Sequence, residues 1–231
     1  MNVSVCMATH NGARFLQQQI DSILPQLKDG DELIIADDGS TDGTISIIES
    51  YHDTRIYRLP AKKFDDPTKN FEYALGHCNN EIIFLADQDD VWHPNKIEVM
   101  TSELALCDLV VCNCRLIDEN GNVLSNSFFE QNHSREGLVK NLIKNSFVGC
   151  CMAFKCKLLK RILPFPMKIS MHDQWIGLVA QRYFTVNFIP QTLVDHRRHS
   201  SNYSSTGEQS KNSWNKKVIS RLQLAKALWQ H

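Results

Sequence analysis

Short apolar runs alternate with segments of helical spacing through the first hundred residues, and this alternation restricts the chain to a few folds. Leucine and isoleucine recur at helical intervals between the runs, for example at Leu16, Ile20 and Ile23. Four runs have the length and composition of buried strands: residues 3–7, 33–36, 56–59 and 82–85. Strands that alternate with helices predict an α/β fold, with a mostly parallel central sheet flanked by helices.

Acidic residues follow two of these runs directly. Asp37 and Asp38 come after the second run, and Asp87, Asp89 and Asp90 come after the fourth. Because ligands bind beyond the carboxyl ends of the strands in an open α/β sheet, both clusters should lie at one edge. A divalent cation that carries a nucleotide diphosphate would suit such a site, with carboxylates for the metal and for ribose hydroxyls. The alternative for each cluster is an acidic turn that caps the following helix.

Three further segments supply polar side chains to the same region. Thr9 and Asn11 follow the first run and are candidates to contact a base or ribose, although a plain strand-to-helix turn also explains them. Asp173 lies at a predicted helix start, where it is either a general base or a helix cap. Basic residues at 196–199 follow the last predicted strand, and we expect Arg197 or His199 to contact a diphosphate, with a solvated basic turn as the alternative.

The composition fits a soluble globular protein. The 231 residues suit one large domain or a domain with a short appendage. A net charge of −1 gives no reason to expect nucleic-acid binding. We find no apolar run as long as a membrane span and no signal peptide, and therefore predict a cytoplasmic protein. The eight cysteines show no paired CxxC spacing, so buried reduced thiols are favoured over a zinc site.

The second half of the chain has a looser pattern. Residues 119–122 predict a hairpin turn, and residues 200–213, rich in serine and asparagine, predict a flexible loop. Residues 216–229 predict an amphipathic C-terminal helix that carries lysine and arginine beside leucine and tryptophan. This helix would either make peripheral contact with a membrane or pack against the domain or a second subunit.

Three segments, in this order, resemble the family 2 glycosyltransferases of the GT-A fold: ATHNGARFL near the start, then IIADDGSTDGT, then FLADQDDVW. The resemblance covers at least residues 2–100, and FVGCCMAF, MHDQWIGL and DHRRHSSN extend it over residues 147–199. The particular motif sequences of this chain, ADQDDVW and HDQW, are most similar to those of bacterial enzymes that build O-antigen, capsule or other cell-surface polysaccharides, including rhamnosyltransferase-like members. The resemblance implies a GT-A domain at 1–200, with a nucleotide-sugar half at 1–107 and an acceptor half at 108–200, then a loop and helix at 201–231.

The resemblance also implies roles for individual residues. Asp173 would be the catalytic base; the family usually has Glu-Asp here, whereas this chain has His172 and Asp173. Asp89 would bind Mn²⁺ or Mg²⁺, Asp87 would contact ribose or metal, and His199 is a further candidate ligand because histidine commonly binds metals. The residues expected to bind the nucleotide sugar are Thr9, Asn11, Asp38, Asn70, Asp87 and Arg197.

We therefore predict an inverting glycosyltransferase that moves a sugar from a UDP- or dTDP-linked donor to a hydroxyl of a glycan or lipid-linked acceptor. Two alternatives stay open. A sugar nucleotidyltransferase would need a glycine-rich basic loop near the N-terminus, where this chain has only Gly12 and Arg14. A non-catalytic carbohydrate- or nucleotide-binding domain is less compatible with the intact acidic clusters and Asp173.

Overall fold

The computed structural model describes residues 1–167, 169, 171–200, 202 and 214–230, and within them one sheet runs through the molecule. Its strands are β1 (Val3–Thr9), β2 (Glu32–Asp37), β3 (Ile56–Arg58), β4 (Ile82–Asp87), β5 (Val91–Trp92), β6 (Leu109–Ile117), β7 (Val123–Ser125), β8 (Met152–Lys155) and β9 (Val186–Arg197). They are ordered β3-β2-β1-β4-β8-β6-β9-β5, and β7 pairs with β6.

Helices flank the sheet. They are α1 (Leu16–Ile23), α2 (Thr44–Ser50), α3 (Pro67–Leu75), α4 (Lys96–Glu103), α5 (Phe128–Asn132), α6 (Leu138–Ile143), α7 (Leu159–Ile162), α8 (His172–Tyr183) and α9 (Trp214–Gln230). The Asp66 side chain caps α3 by accepting a hydrogen bond from the backbone N–H of Thr68 at 2.8 Å. Most of the loop predicted at residues 200–213 lies outside the described residues.

The first half of the sheet is parallel, and this determines where the acidic clusters lie. β1 pairs in parallel with β2 on one side and with β4 on the other. Thr9 lies opposite Asp37 in the first pair, and Ala8 lies opposite Asp87 in the second. The carboxyl ends of three neighbouring strands therefore meet at one edge of the sheet, as the sequence predicts.

The second half makes the sheet mixed rather than mostly parallel. β8 pairs antiparallel with β4 and β6, β7 with β6, and β5 with β9, whereas β6 and β9 are parallel. β6 and β7 follow one another along the chain and pair as a hairpin, which only antiparallel neighbours can do. β5 and β8 pair with strands that are distant in the sequence, so the alternation of strands and helices does not determine their direction.

The core lies on both sides of the central strands. Val5, Ile35 and Phe84, on β1, β2 and β4, are fully buried, as expected for parallel strands covered by helices. α9 packs against α6 and α8, with Leu224 and Leu228 buried. Among the described residues, no helix has both the length and the apolar character that a bilayer span requires. The domain division at residues 107 and 200 stays a prediction.

Candidate active site

A pocket of about 380 Å³ lies at the edge where β1, β2 and β4 end. Six of the predicted site residues line it: Thr9, Asp38, Asn70, Asp87, Asp89 and Asp173. The second half of the chain contributes Gly149, His172, His196, Arg198 and Asn202. The fold thus brings both acidic clusters and the predicted catalytic aspartate into one cavity.

The end of β2 fixes the loop that leads into α3. The Asp38 carboxylate is buried and accepts hydrogen bonds from three successive backbone N–H groups at residues 64–66. The neighbouring Asp37 carboxylate accepts from the Thr9 hydroxyl at 2.8 Å. Both aspartates therefore shape this wall of the pocket through the protein's own hydrogen bonds. The predicted contacts of Thr9 and Asp38 with a nucleoside stay predictions.

Asn70 presents an unused acceptor on the same wall. Its amide nitrogen donates to the carbonyl of Ala36 at 2.9 Å and more weakly to that of Thr9 at 3.3 Å. Its Oδ1 is buried and has no hydrogen-bond partner among the described residues. Because a buried polar atom without a partner costs free energy, a ligand that donates a hydrogen bond here would be stabilising.

The end of β4 concentrates negative charge. Burial raises the pKa of Asp87 well above its usual range, and the carboxylates of Asp90 and Asp89 raise it further. The Asp89 carboxylate lies 2.8 Å from Nε2 of His199 and accepts from the Asn202 amide at 3.0 Å. Carboxylate oxygens are the ligands that Mn²⁺ and Mg²⁺ prefer, so Asp87 and Asp89 fit the predicted cation, and the imidazole beside them is better suited to Mn²⁺ than to Mg²⁺.

Asp90 forms a buried ion pair behind this cluster. Its Oδ1 lies 2.9 Å from Nδ1 of His196 and accepts from the backbone N–H of Arg197 at 2.9 Å. Burial disfavours a charged His196, but the Asp90 carboxylate outweighs that effect and raises the pKa of His196 well above its usual value. Cys150 Sγ lies 3.6 Å from the same Nδ1, so Asp90, Cys150 and His196 bring three metal-binding atom types together. The thiol makes this trio a poorer match to Mg²⁺ or Mn²⁺ than Asp89 and His199.

Arg197 and Asn11 lie beside the pocket rather than on its wall. The Arg197 guanidinium donates to the backbone carbonyl of Asp89 at 2.8 Å and to Gln18 at 2.7 Å, and it stacks over the Phe15 ring. Asn11 accepts from a backbone N–H of the β2–α2 loop at 2.8 Å. Both side chains brace the loops that form the site, and their predicted contacts with the nucleotide sugar stay predictions.

Asp173 lies in the first turn of α8 with its carboxylate buried. Met171, and not Asp173, occupies the cap position of this helix. Burial raises the pKa of Asp173 from 3.8 to about 7, and the backbone N–H of Gln174, 2.5 Å from Oδ1, only partly offsets this. A carboxylate with a pKa near neutrality is suited to accept a proton at physiological pH.

Gln88 is a site residue that sequence reasoning missed. Its Oε1 accepts from the backbone N–H of His10 at 2.8 Å, and its Nε2 donates to the His10 carbonyl at 3.0 Å. A Cβ atom at Gly12 would lie only 2.2 Å from that Oε1, so this approach requires glycine. The pair of bonds joins the β1 loop to the acidic loop. The only sequence signal is the position of an amide between two aspartates.

Comparison with known proteins gives consistent results. Residues 4–163 match the family model described as Glycosyl transferase family 2. A putative teichuronic acid biosynthesis glycosyltransferase, TuaG of Bacillus subtilis, is 25% identical over 98% of this chain and 92% of its own length. The structure of TarS of S. aureus in complex with UDP-GlcNAc has a TM-score of 0.73 at 17% identity, covering 98% of this chain and 66% of that one.

A second solved structure has the same fold. The mannosyltransferase PcManGT of Pyrobaculum calidifontis, in complex with GDP-Man and Mn²⁺, has a TM-score of 0.69 at 21% identity, and the match covers 98% of this chain and 64% of that one. At these identities the likeness shows the shared GT-A fold, and the chain spans about two thirds of each of the two structures.

Proposed function

The chain belongs to glycosyl transferase family 2, and from this premise we propose that it transfers a sugar, a hexose or rhamnose, from a nucleotide diphosphate to a hydroxyl of a glycan or lipid-linked acceptor in bacterial surface polysaccharide synthesis. The name of the TuaG relative supports the polysaccharide pathway. The observation that carries the proposal is the single cavity that contains the Asp87–Asp89 cluster and a carboxylate, Asp173, with a pKa of about 7.

The donor half of the site would consist of the β4 end and the β1–β2 wall. Asp89 and His199, with Asp87, would hold Mn²⁺ or Mg²⁺, and the bound cation would stabilise the charge that develops on the departing diphosphate. Asn70 Oδ1, the unpaired acceptor, would receive a hydrogen bond from the base or ribose. We propose a uridine donor, as in the UDP-GlcNAc complex of TarS, with dTDP as the alternative.

The acceptor half would depend on Asp173. As the acceptor oxygen forms its bond to the anomeric carbon, the bond from that carbon to the diphosphate oxygen breaks. Asp173 takes the hydroxyl proton in the same step. A single displacement of this kind inverts the configuration at the anomeric carbon.

Nucleotide binding with and without Mn²⁺ tests the donor half. We expect UDP to bind the wild type more tightly with Mn²⁺ present, and Asp89→Ala to lose that Mn²⁺-dependent gain. Asp29→Ala, at an exposed aspartate outside the pocket, is the matched control and should keep it. An Asp89→Ala variant that binds UDP and Mn²⁺ like the wild type would refute the metal assignment.

We also propose peripheral contact between α9 and the cytoplasmic face of the cell membrane. The α9 sequence contains four basic and no acidic residues. Ile219, Leu222 and Trp229 are exposed at helical spacing, while Leu224 and Leu228 pack inward. An exposed apolar stripe with basic neighbours is complementary to an anionic bilayer surface.

Co-sedimentation with vesicles tests this contact. The wild type should sediment with vesicles of phosphatidylglycerol and phosphatidylcholine, and less with phosphatidylcholine alone. The double variant Leu222→Ser, Trp229→Ser should remain in the supernatant. Leu106→Ser, which changes an exposed leucine outside α9, should sediment like the wild type. Equal sedimentation of all three proteins would rule out α9 as the contact.

A further inference from the structure

His172 is a buried polar side chain that makes no hydrogen bond within the part of the chain that the structure describes. The residue is 4% exposed and lines the pocket, at the first position of α8. Neither ring nitrogen has a hydrogen-bond partner among the described residues. A buried imidazole loses its bonds to water, so two unpaired nitrogens are a net cost to the native state. A ligand that enters the pocket and bonds to the ring would remove this cost.

The surroundings hold the imidazole in one orientation. The ring stacks on Phe71 of α3, with centroids 3.9 Å apart and planes inclined by 23°. Gly149 approaches from another side, where a Cβ atom would lie 2.9 Å from Nε2. A larger residue at 149 would therefore displace the ring. Rotation is limited on both sides, so His172 is positioned before any ligand arrives.

The imidazole is also uncharged. Burial lowers the pKa of His172 to about 3. A neutral imidazole has one N–H donor and one acceptor nitrogen, and either nitrogen can bond to a hydroxyl group, which both donates and accepts. The neutral imidazole offers no positive charge to a carboxylate or phosphate group. Asp173, the base of the proposed transfer, lines the same pocket, and a Cβ atom at Gly149 would lie 2.9 Å from His172 Nε2 and 3.9 Å from Asp173 Cβ.

We propose that His172 binds a hydroxyl of the donor sugar and so helps to determine which uncharged sugar the site accepts. This inference rests on the proposed glycosyltransferase function. It assigns His172 to sugar selection, whereas Asp89 and Asp173 serve the metal and the acceptor proton. If His172 instead only fills the core against Phe71, an apolar ring of similar size should replace it without functional loss.

The decisive variant is His172→Phe, which retains a ring for stacking and removes both nitrogens. Binding of UDP, UDP-glucose, UDP-GlcNAc and GDP-mannose is measured by calorimetry with Mn²⁺ present. For the nucleotide sugar that the wild type binds best, we expect about a tenfold loss of affinity in His172→Phe, as for one lost hydrogen bond. Affinity for the corresponding free nucleoside diphosphate should stay within about twofold. His172→Gln should recover part of the loss, and His52→Phe, at an exposed histidine, should behave like the wild type.

Thermal unfolding of the same variants excludes misfolding as the cause. His172→Phe should unfold at the wild-type temperature or above it, because two unpaired nitrogens are removed. Equal losses of affinity for the nucleotide and for the nucleotide sugar would overturn the assignment to the sugar. So would wild-type affinity of His172→Phe for both ligands. If the wild type binds UDP but gains nothing from any attached sugar, the inference fails while the nucleotide site stands. If the wild type binds none of the four probes, the proposed function fails first, and the inference with it.

Discussion

Loss of the proton from buried Asp173 should make the protein less stable as the pH rises, and Asp173→Asn should remove this dependence. The pKa of Asp173 is about 7 in the folded chain because the carboxyl is buried, against 3.8 for an exposed aspartate. Between these values the native state binds a proton that the unfolded chain releases. The stabilisation of the native state by this bound proton is therefore fully present below about pH 4 and is lost as the pH rises through about 7.

The size of the effect follows from the shift. A difference of about three pKa units corresponds to about 4 kcal/mol between the fully protonated and fully ionised limits, at 1.36 kcal/mol per unit. Asparagine stays neutral throughout. Relative to the wild type, Asp173→Asn should therefore gain about 4 kcal/mol in the free energy of unfolding at pH 8 and less than about 2 kcal/mol at pH 5.

Urea unfolding at pH 5, 6, 7 and 8 measures this difference. Asp29→Asn, which removes one exposed aspartate, is the control for loss of a single negative charge. Asp173→Asn should also lose sugar transfer by roughly 10²- to 10⁴-fold, the usual contribution of a general base. If the wild type and Asp173→Asn differ by the same amount at every pH, Asp173 is not ionising within this range, and the argument for it as the base fails.

Two further predictions concern residues that support the site. Gln88→Leu removes both hydrogen bonds to His10 and should weaken UDP binding with Mn²⁺ by about tenfold while lowering stability little; unchanged affinity would show that the two loops hold their positions without this link. Asp90→Ala leaves His196 buried without its carboxylate and should cost about 3–5 kcal/mol in urea unfolding; a loss below about 1 kcal/mol would mean that the ion pair is not formed.

The parallel half of the fold is predictable from sequence because its signals are local. Each apolar run has the length of one strand, and each is separated from the next by a helix, so the direction of the strands follows. After residue 107 this information is missing. The run at 151–154 is visible as a strand, yet nothing in it indicates that β8 runs antiparallel between β4 and β6.

The site is predictable to the extent that strand ends specify it. Asp87, Asp89 and Asp173 are identified by their position after a strand or at a helix start, and the structure brings them into one pocket. Such reasoning does not reveal the intramolecular contacts of Arg197. Contact of this residue with an anion stays a prediction, whereas the bonds from its guanidinium to the backbone of Asp89 and to Gln18 have no signal in the sequence. Charge patterns do not reveal which side of a strand end a long side chain takes.

The Asp89 carboxylate is bonded to His199 and Asn202, which lie 110 and 113 residues further along the chain. The bonds that hold the Asp89 carboxylate therefore do not exist until the chain has been synthesised as far as residue 202. A ribosome-bound chain that exposes only residues 1–195 should form β1, β2 and β4 but bind no metal–nucleotide complex. Adding seven residues should be enough to restore binding, and stalled chains of the two lengths would show it. On the proposed metal assignment, binding of the metal–nucleotide complex would report that the chain has been synthesised as far as residue 202.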